Sequence, residues 1–124
     1  MSERQTILIV EDNEDLRRLF RTALALAGYD VMEAGHGLEA LQRIDQGLPH
    51  LVILDLMLPD MSGVVIQQEL AAQAITRQIP IVVITGSAIE PGDLDVACLL
   101  RKPITPDQLI QAVQKCLGAS SGAV

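Results

Sequence analysis

Five side chains in this chain are suited by type and position to act on one anion and one cation together. Four apolar runs lead into them. Ile7-Leu8-Ile9-Val10 precedes Glu11-Asp12, and Leu51-Val52-Ile53-Leu54 precedes Asp55. Ile81-Val82-Val83-Ile84 precedes Thr85, and Leu99-Leu100 leads through Arg101 to Lys102. Three carboxylates would hold a hard divalent cation, for which Mg²⁺ is the natural choice when phosphate is the partner. A hydroxyl and an ammonium would balance charge on a phosphoryl group. The set describes a cation site beside a nucleophilic carboxylate, and Asp55 is the candidate nucleophile.

The elements that must position these groups are legible from periodicity. Short aliphatic, β-branched runs read as strands buried on both faces, as in a parallel sheet. Ligands of such sheets bind beyond the carboxyl ends of the strands, where all five residues fall. Residues 29–32 supply a further short strand. Between the strands, Leu16, Leu19, Phe20, Ala23, Leu24 and Ala27 share one helical face, ended by Gly28. Leu38, Leu41 and Ile44 mark a second helix stopping near Gly47 and Pro49, and Ser62 opens a third through Val65, Ile66 and Leu70. Thr105-Pro106-Asp107-Gln108 reads as N-cap, N1 proline and capping-box partner of a last helix with Leu109, Ile110, Val113 and Leu117 inward. Strand and helix alternate, so the class is α/β with helices on both sides of the sheet. Only residues 86–97 separate Thr85 from the last strand, with Pro91-Gly92 in the middle. A parallel crossover needs about a dozen residues or more, so the fourth helix is expected to be shortened or irregular.

Composition bounds the rest. The 124 residues make a single domain, 1–124, with a core over about 6–117 and a flexible tail at 118–124. Hydrophobic residues are 49 % and aromatics 2 %, so the core must be Leu, Ile, Val and Ala. No apolar run approaches the ~20 residues of a membrane span, and Met1-Ser2-Glu3-Arg4-Gln5 lacks signal-peptide character. A cytoplasmic protein without membrane contact is expected. A net charge of −7 with nine Lys plus Arg argues against direct nucleic-acid binding. Cys98 and Cys116 read as packed thiols, and His36 and His50 as loop residues without ligand spacing.

Each site residue also has a plainer explanation. Asp55 alone reads as a strand-end acid capping the loop Leu58-Pro59-Asp60-Met61-Ser62-Gly63, and Glu11-Asp12 as acids at the positive end of the next helix. Thr85 could cap Gly86, and Lys102 could be a solvated lysine fixed by Pro103. Their order on successive strand ends is what sets the plain explanations aside.

These residues resemble the receiver domain of bacterial two-component response regulators, CheY-like, over nearly the whole chain. The resemblance rests on Val10-Glu11-Asp12-Asn13, Asp55-Leu56-Met57-Leu58-Pro59 with Gly63, Thr85-Gly86-Ser87, and Lys102-Pro103. It implies a flavodoxin-like three-layer fold with a five-stranded parallel sheet in the order 2-1-3-4-5. It implies that Asp55 is the phosphoacceptor, forming an acyl phosphate with a phosphoryl group from a sensor histidine kinase or phosphotransfer protein. Mg²⁺, or Mn²⁺ in its stead, would be held by Asp12 and Asp55, the Met57 carbonyl, and Glu11 through water. Thr85 and Lys102 would hold phosphoryl oxygens, while Met57 and Ser87 tune self-catalysed dephosphorylation. The protein would then be a signalling switch in two-component signal transduction, acting on a downstream protein effector, with homodimerisation left open.

Two departures from the family pattern stand out. Leu99 occupies the position of the usual switch aromatic, and the fourth helix has too few residues. Together they bear on the usual output face of fourth helix, fifth strand and last helix, and the missing aromatic sustains one alternative, a degenerate receiver that docks without phosphorylation. A haloacid-dehalogenase-like phosphatase would need an acid where Met57 stands, and a flavodoxin would need a phosphate-cradling loop where Glu11-Asp12-Asn13-Glu14-Asp15 is acidic.

Overall fold

The computed structural model describes residues 4–86 and 96–121. Five strands form one parallel sheet: β1 Thr6–Val10, β2 Asp30–Ala34, β3 Leu51–Asp55, β4 Ile81–Thr85 and β5 Cys98–Arg101. Their order is β2-β1-β3-β4-β5, as expected from the sequence. The helices are α1 Glu14–Leu26, α2 Gly37–Gln46, α3 Gly63–Ala72 and α4 Pro106–Ser121.

Alternation along the strands sends side chains to two cores. Ile7, Ile9, Leu51, Ile53, Val82 and Ile84 pack with Phe20 and Leu24 of α1 and with Leu109, Val113 and Leu117 of α4. Leu8, Val10, Val52, Leu54 and Val83 pack on the other side with Ala40 and Ile44 of α2 and Ile66 and Leu70 of α3. The central strands β1 and β3 are covered on both sides, which is why their runs read as unbroken apolar stretches.

Several local expectations are corrected. β2 runs two residues further than 29–32, because Glu33 and Ala34 continue the ladder opposite Ile9 and Val10. Leu19, Leu38 and Val65, assigned inward faces, are 49 %, 53 % and 43 % exposed, and Ala27 is also exposed. Helical period alone places a residue to about one neighbour: Phe20 and Ile66 are buried as expected, and on α2 the unassigned Ala40 takes an inward position. The last helix continues to Ser121 rather than stopping near Leu117. Gly118 does not adopt the left-handed conformation that ends a helix, as Gly28 does with φ 104° after α1. The helix starts agree with the sequence signals. Ser62 Oγ accepts the Val64 N–H at 3.1 Å. At α4, the Thr105 N–H donates to Gln108 Oε1 at 2.8 Å, and the Gln108 N–H to Thr105 Oγ1 at 3.1 Å. The shortened fourth helix and Ser87 lie outside the described residues.

Candidate functional site

All five singled-out residues stand at the carboxyl edge of the sheet. Glu11 and Asp12 follow β1, Asp55 ends β3, Thr85 ends β4, and Lys102 follows β5. The order β1-β3-β4-β5 makes these ends neighbours, and register fixes their level. Val10 lies opposite Leu54, Asp55 opposite Ile84, and Thr85 opposite Arg101. The Lys102 N–H then donates to the Thr85 carbonyl at 2.8 Å, so the lysine leaves β5 beside the threonine. The Lys102–Pro103 peptide bond is cis.

Glu11 is fully buried and Asp55 is 2 % exposed, while Asp12 is exposed at the mouth. Carboxylate oxygens of the three lie within 4.8 Å of one another. The Lys102 ammonium sits among them, 2.6 Å from Glu11 Oε1 and 3.0 Å from Asp55 Oδ2. The other carboxylate oxygens are tied to backbone: Asp55 Oδ1 accepts the Met57 N–H at 3.0 Å, and Glu11 Oε2 accepts the Asn13 N–H at 3.1 Å. Beyond its ion contact with the Lys102 ammonium, Glu11 Oε1 has no hydrogen-bond partner among the described residues. A buried carboxylate oxygen in that condition, within reach of two further acids, fits a hard divalent cation or its bound water.

The electrostatics follow from this crowding. Burial raises the Glu11 carboxyl above its ordinary value of 4.5, and the nearby Asp55 charge adds to the rise. Contacts with Lys102 and the Asn13 N–H oppose the rise without cancelling it. Burial pulls the Lys102 ammonium down, but its contacts with Glu11 and Asp55 outweigh burial and leave it above 10.5. Burial thus works against charge on Glu11, while the acids around Lys102 hold its ammonium charged.

Further residues hold this edge in shape, and among them Arg17 and Glu33 were not singled out from the sequence. Arg17 Nη1 of α1 donates to the Glu11 carbonyl at 2.7 Å, while its Nε contacts Glu33 of β2 at 3.2 Å. The readable signal was Glu33, an acid inside a short strand that needs a cationic partner. Gly63 comes so close to the Asp55 backbone that a Cβ there would stand 2.5 Å from the Asp55 carbonyl oxygen. Its N–H donates to the Leu56 carbonyl at 2.8 Å, which fastens the loop after Asp55 to the start of α3. Asp60 of the same loop accepts the Gly37 N–H at 2.8 Å and the Leu38 N–H at 3.0 Å, at the N-terminus of α2. Met57 is 62 % exposed beside Asp55, and Leu99 is half-buried against the core on the α2 and α3 side.

Residues 7–114 match the response regulator receiver domain family. The chain belongs to that family. As a receiver domain, it is 29 % identical over 119 residues to the polar-differentiation response regulator DivK of Brucella anthropi, covering 92 % of this chain and 97 % of the relative. Its fold superposes with a TM-score of 0.87 on a putative response regulator from Chloroflexus aurantiacus J-10-fl, at 29 % identity, covering 94 % and 99 % of the two chains. The chemotaxis response regulator CheY4 of Vibrio cholerae gives 0.86 at 25 % identity, covering 93 % and 100 %. The receiver fold and a place in two-component signalling follow from this membership. Among the described residues, no helix is long and apolar enough to cross a membrane.

Proposed function

We propose that this receiver domain is phosphorylated on Asp55 in a Mg²⁺-dependent reaction and switches partner binding as a result. The observation that carries the reading is the Lys102 ammonium 3.0 Å from Asp55 Oδ2, with three carboxylates gathered within 4.8 Å. Asp12 and Asp55 would hold the ion directly, with the Met57 carbonyl, and Glu11 would hold it through water. When bound, the ion supplies positive charge to phosphoryl oxygens.

The donor is a phosphohistidine of a sensor histidine kinase or phosphotransfer protein. An Asp55 carboxylate oxygen attacks phosphorus, the P–N bond breaks, and the imidazole leaves and takes up a proton. Lys102 transfers its contact from carboxylate to phosphoryl oxygen, and the Thr85 hydroxyl holds another. Water later attacks the same phosphorus and releases phosphate, at a rate that Met57 and Ser87 would tune. The added charge is answered by Thr85 and Lys102, which shifts a two-state equilibrium toward a form read by a protein effector. The site of action is the cytoplasm.

Incubation with acetyl phosphate and Mg²⁺, followed by intact mass, tests the assignment. One phosphoryl group should appear on the wild type and none on Asp55→Asn. No gain on the wild type, or an equal gain on the variant, overturns it. The alternative of a phosphorylation-independent docking module is favoured by one observation, Leu99 in place of an aromatic ring, and it predicts that same absence of mass gain.

A further inference from the structure

The three acids of the site are not held alike. Glu11 and Asp55 are fixed at their carboxylates by Lys102 and by backbone N–H groups. The exposed Asp12 carboxylate makes no hydrogen bond or ion pair among the described residues. Where Asp12 points is therefore set by the peptide that joins it to Glu11. The Glu11 N–H still donates to the Ala34 carbonyl at 3.1 Å, but β1 has ended at Val10 and the ladder goes no further. The next group along, the Glu11 carbonyl, accepts instead from Arg17 Nη1 at 2.7 Å.

Arg17 is itself held from several sides. Its backbone N–H donates to the Asn13 carbonyl at 2.9 Å, which ties its Cα to the start of α1. Its Nε donates to Glu33 Oε1 at 3.2 Å, and Arg21 Nη1 donates to Glu33 Oε2 at 3.3 Å. The guanidinium fills the space over Gly35, where a Cβ would stand 3.1 Å from Nη1. Only 19 % of the Arg17 side chain is exposed. One planar fork thus spans helix, strand and site peptide, a geometry that an ammonium does not reproduce.

We propose that Arg17 is a positioning residue that sets the Mg²⁺ affinity of the site by fixing the Glu11–Asp12 peptide, with Glu33 locking its guanidinium in place. This role deepens the phosphorylation reading and rests on it for the metal. Arg17 touches no reacting atom and acts through the carbonyl next to Asp12. Outer partners of this kind are worth about 10–100-fold in metal affinity. The sign of the effect separates positioning from plain electrostatics. A guanidinium near a cation site repels the ion, so by charge alone its removal tightens binding, whereas loss of positioning weakens it.

Titration of the folded protein with MgCl2, followed through the amide NMR signals of Asp12 and Asn13, tests this role. Labelling by acetyl phosphate at varied Mg²⁺ gives a second readout. Arg17→Met should raise the Mg²⁺ dissociation constant about tenfold, and the Mg²⁺ needed for half-maximal labelling with it. The labelling rate at saturating Mg²⁺ should stay within about twofold of wild type, a split that general damage to the fold would not give. Arg17→Lys keeps the charge and loses the fork, so its expected weakening of about threefold or more is positional in origin. That variant decides the matter should Arg17→Met fail to fold. Arg18→Met makes the same change of charge one residue along, where Arg18 pairs with Glu14 at 3.3 Å on the exposed face, and should not weaken binding. Glu33→Gln should weaken binding by itself and add nothing in the Arg17→Met background. Affinity at or above the wild-type value in either folded Arg17 variant, or equal weakening in Arg18→Met, would overturn the role of Arg17 and leave Asp55 phosphorylation standing. A wild type that binds no Mg²⁺ would overturn both.

Discussion

Replacing Lys102 with alanine removes the ammonium that lies 2.6 Å from Glu11 Oε1 and 3.0 Å from Asp55 Oδ2. The two carboxylates left behind have side chains only 0 % and 4 % exposed. Breaking a buried pair by deleting one partner costs about 3–5 kcal/mol. Two features reduce that here: Lys102 is itself 24 % exposed, and Glu11 can take up a proton. The expected loss of stability at neutral pH is therefore about 2–4 kcal/mol. The chain has no tryptophan, so urea unfolding is best followed by far-ultraviolet circular dichroism.

The pH dependence identifies the cause. The folded-state pKa of Glu11 already lies above its ordinary value, so the folded protein takes up this proton more readily than the unfolded chain. Its contribution to stability is therefore greatest below the unfolded pKa and is lost as pH rises through the folded one. Losing Lys102 removes an interaction that lowers this pKa, and raises it further. The deficit of Lys102→Ala should thus shrink as pH falls from neutral to about 5, and millimolar Mg²⁺ should shrink it at neutral pH. A deficit unchanged by both treatments would refute the electrostatic account and leave only lost packing.

Gly63→Ala places a Cβ 2.5 Å from the Asp55 carbonyl oxygen and 2.8 Å from Leu56 Cα, which are backbone atoms. It should cost about 1–3 kcal/mol in urea unfolding and slow labelling by acetyl phosphate. Thr105→Ala removes the capping-box acceptor for the Gln108 N–H, and should cost about 1 kcal/mol with Asp55 labelling unchanged. The Leu38 and Gly37 N–H groups hold the Asp60 carboxyl below its ordinary 3.8. Its stabilising contribution is present above the unfolded pKa and lost as pH falls through the folded one. NMR titration of Asp60 should give a depressed value, and an ordinary value would contradict the cap across to α2.

Much of this architecture was legible because the strands are short, aliphatic and buried on both faces, and each ends on a polar residue at one edge. Sheet order came from the family resemblance rather than from periodicity, since no strand run names its neighbour. The capping signals at Ser62 and Thr105 were local and readable. What escaped the sequence depends on distant partners. Arg17 looks like an ordinary helix cation until β2 brings Glu33 beside it and the Glu11 carbonyl in front of it. Asp60 looks like a turn residue until α2 presents two N–H groups across a separation of more than twenty positions. The exposure of Leu19 and Leu38 was hidden for another reason. A period of 3.6 residues locates an apolar stripe, but its rotation is set by what the helix meets.

The two bonds accepted by Asp60 make α2 a passenger of the loop that begins at Asp55. That loop is anchored at its near end by the Met57 N–H on the Asp55 carboxylate, and at its far end by Gly63 on Leu56. A push at the near end that lengthens or releases the Met57 bond travels along a stiff, proline-containing span to the first turn of α2. The flank of the molecule furthest from β5 therefore has its own mechanical line to Asp55, one that does not run through Leu99.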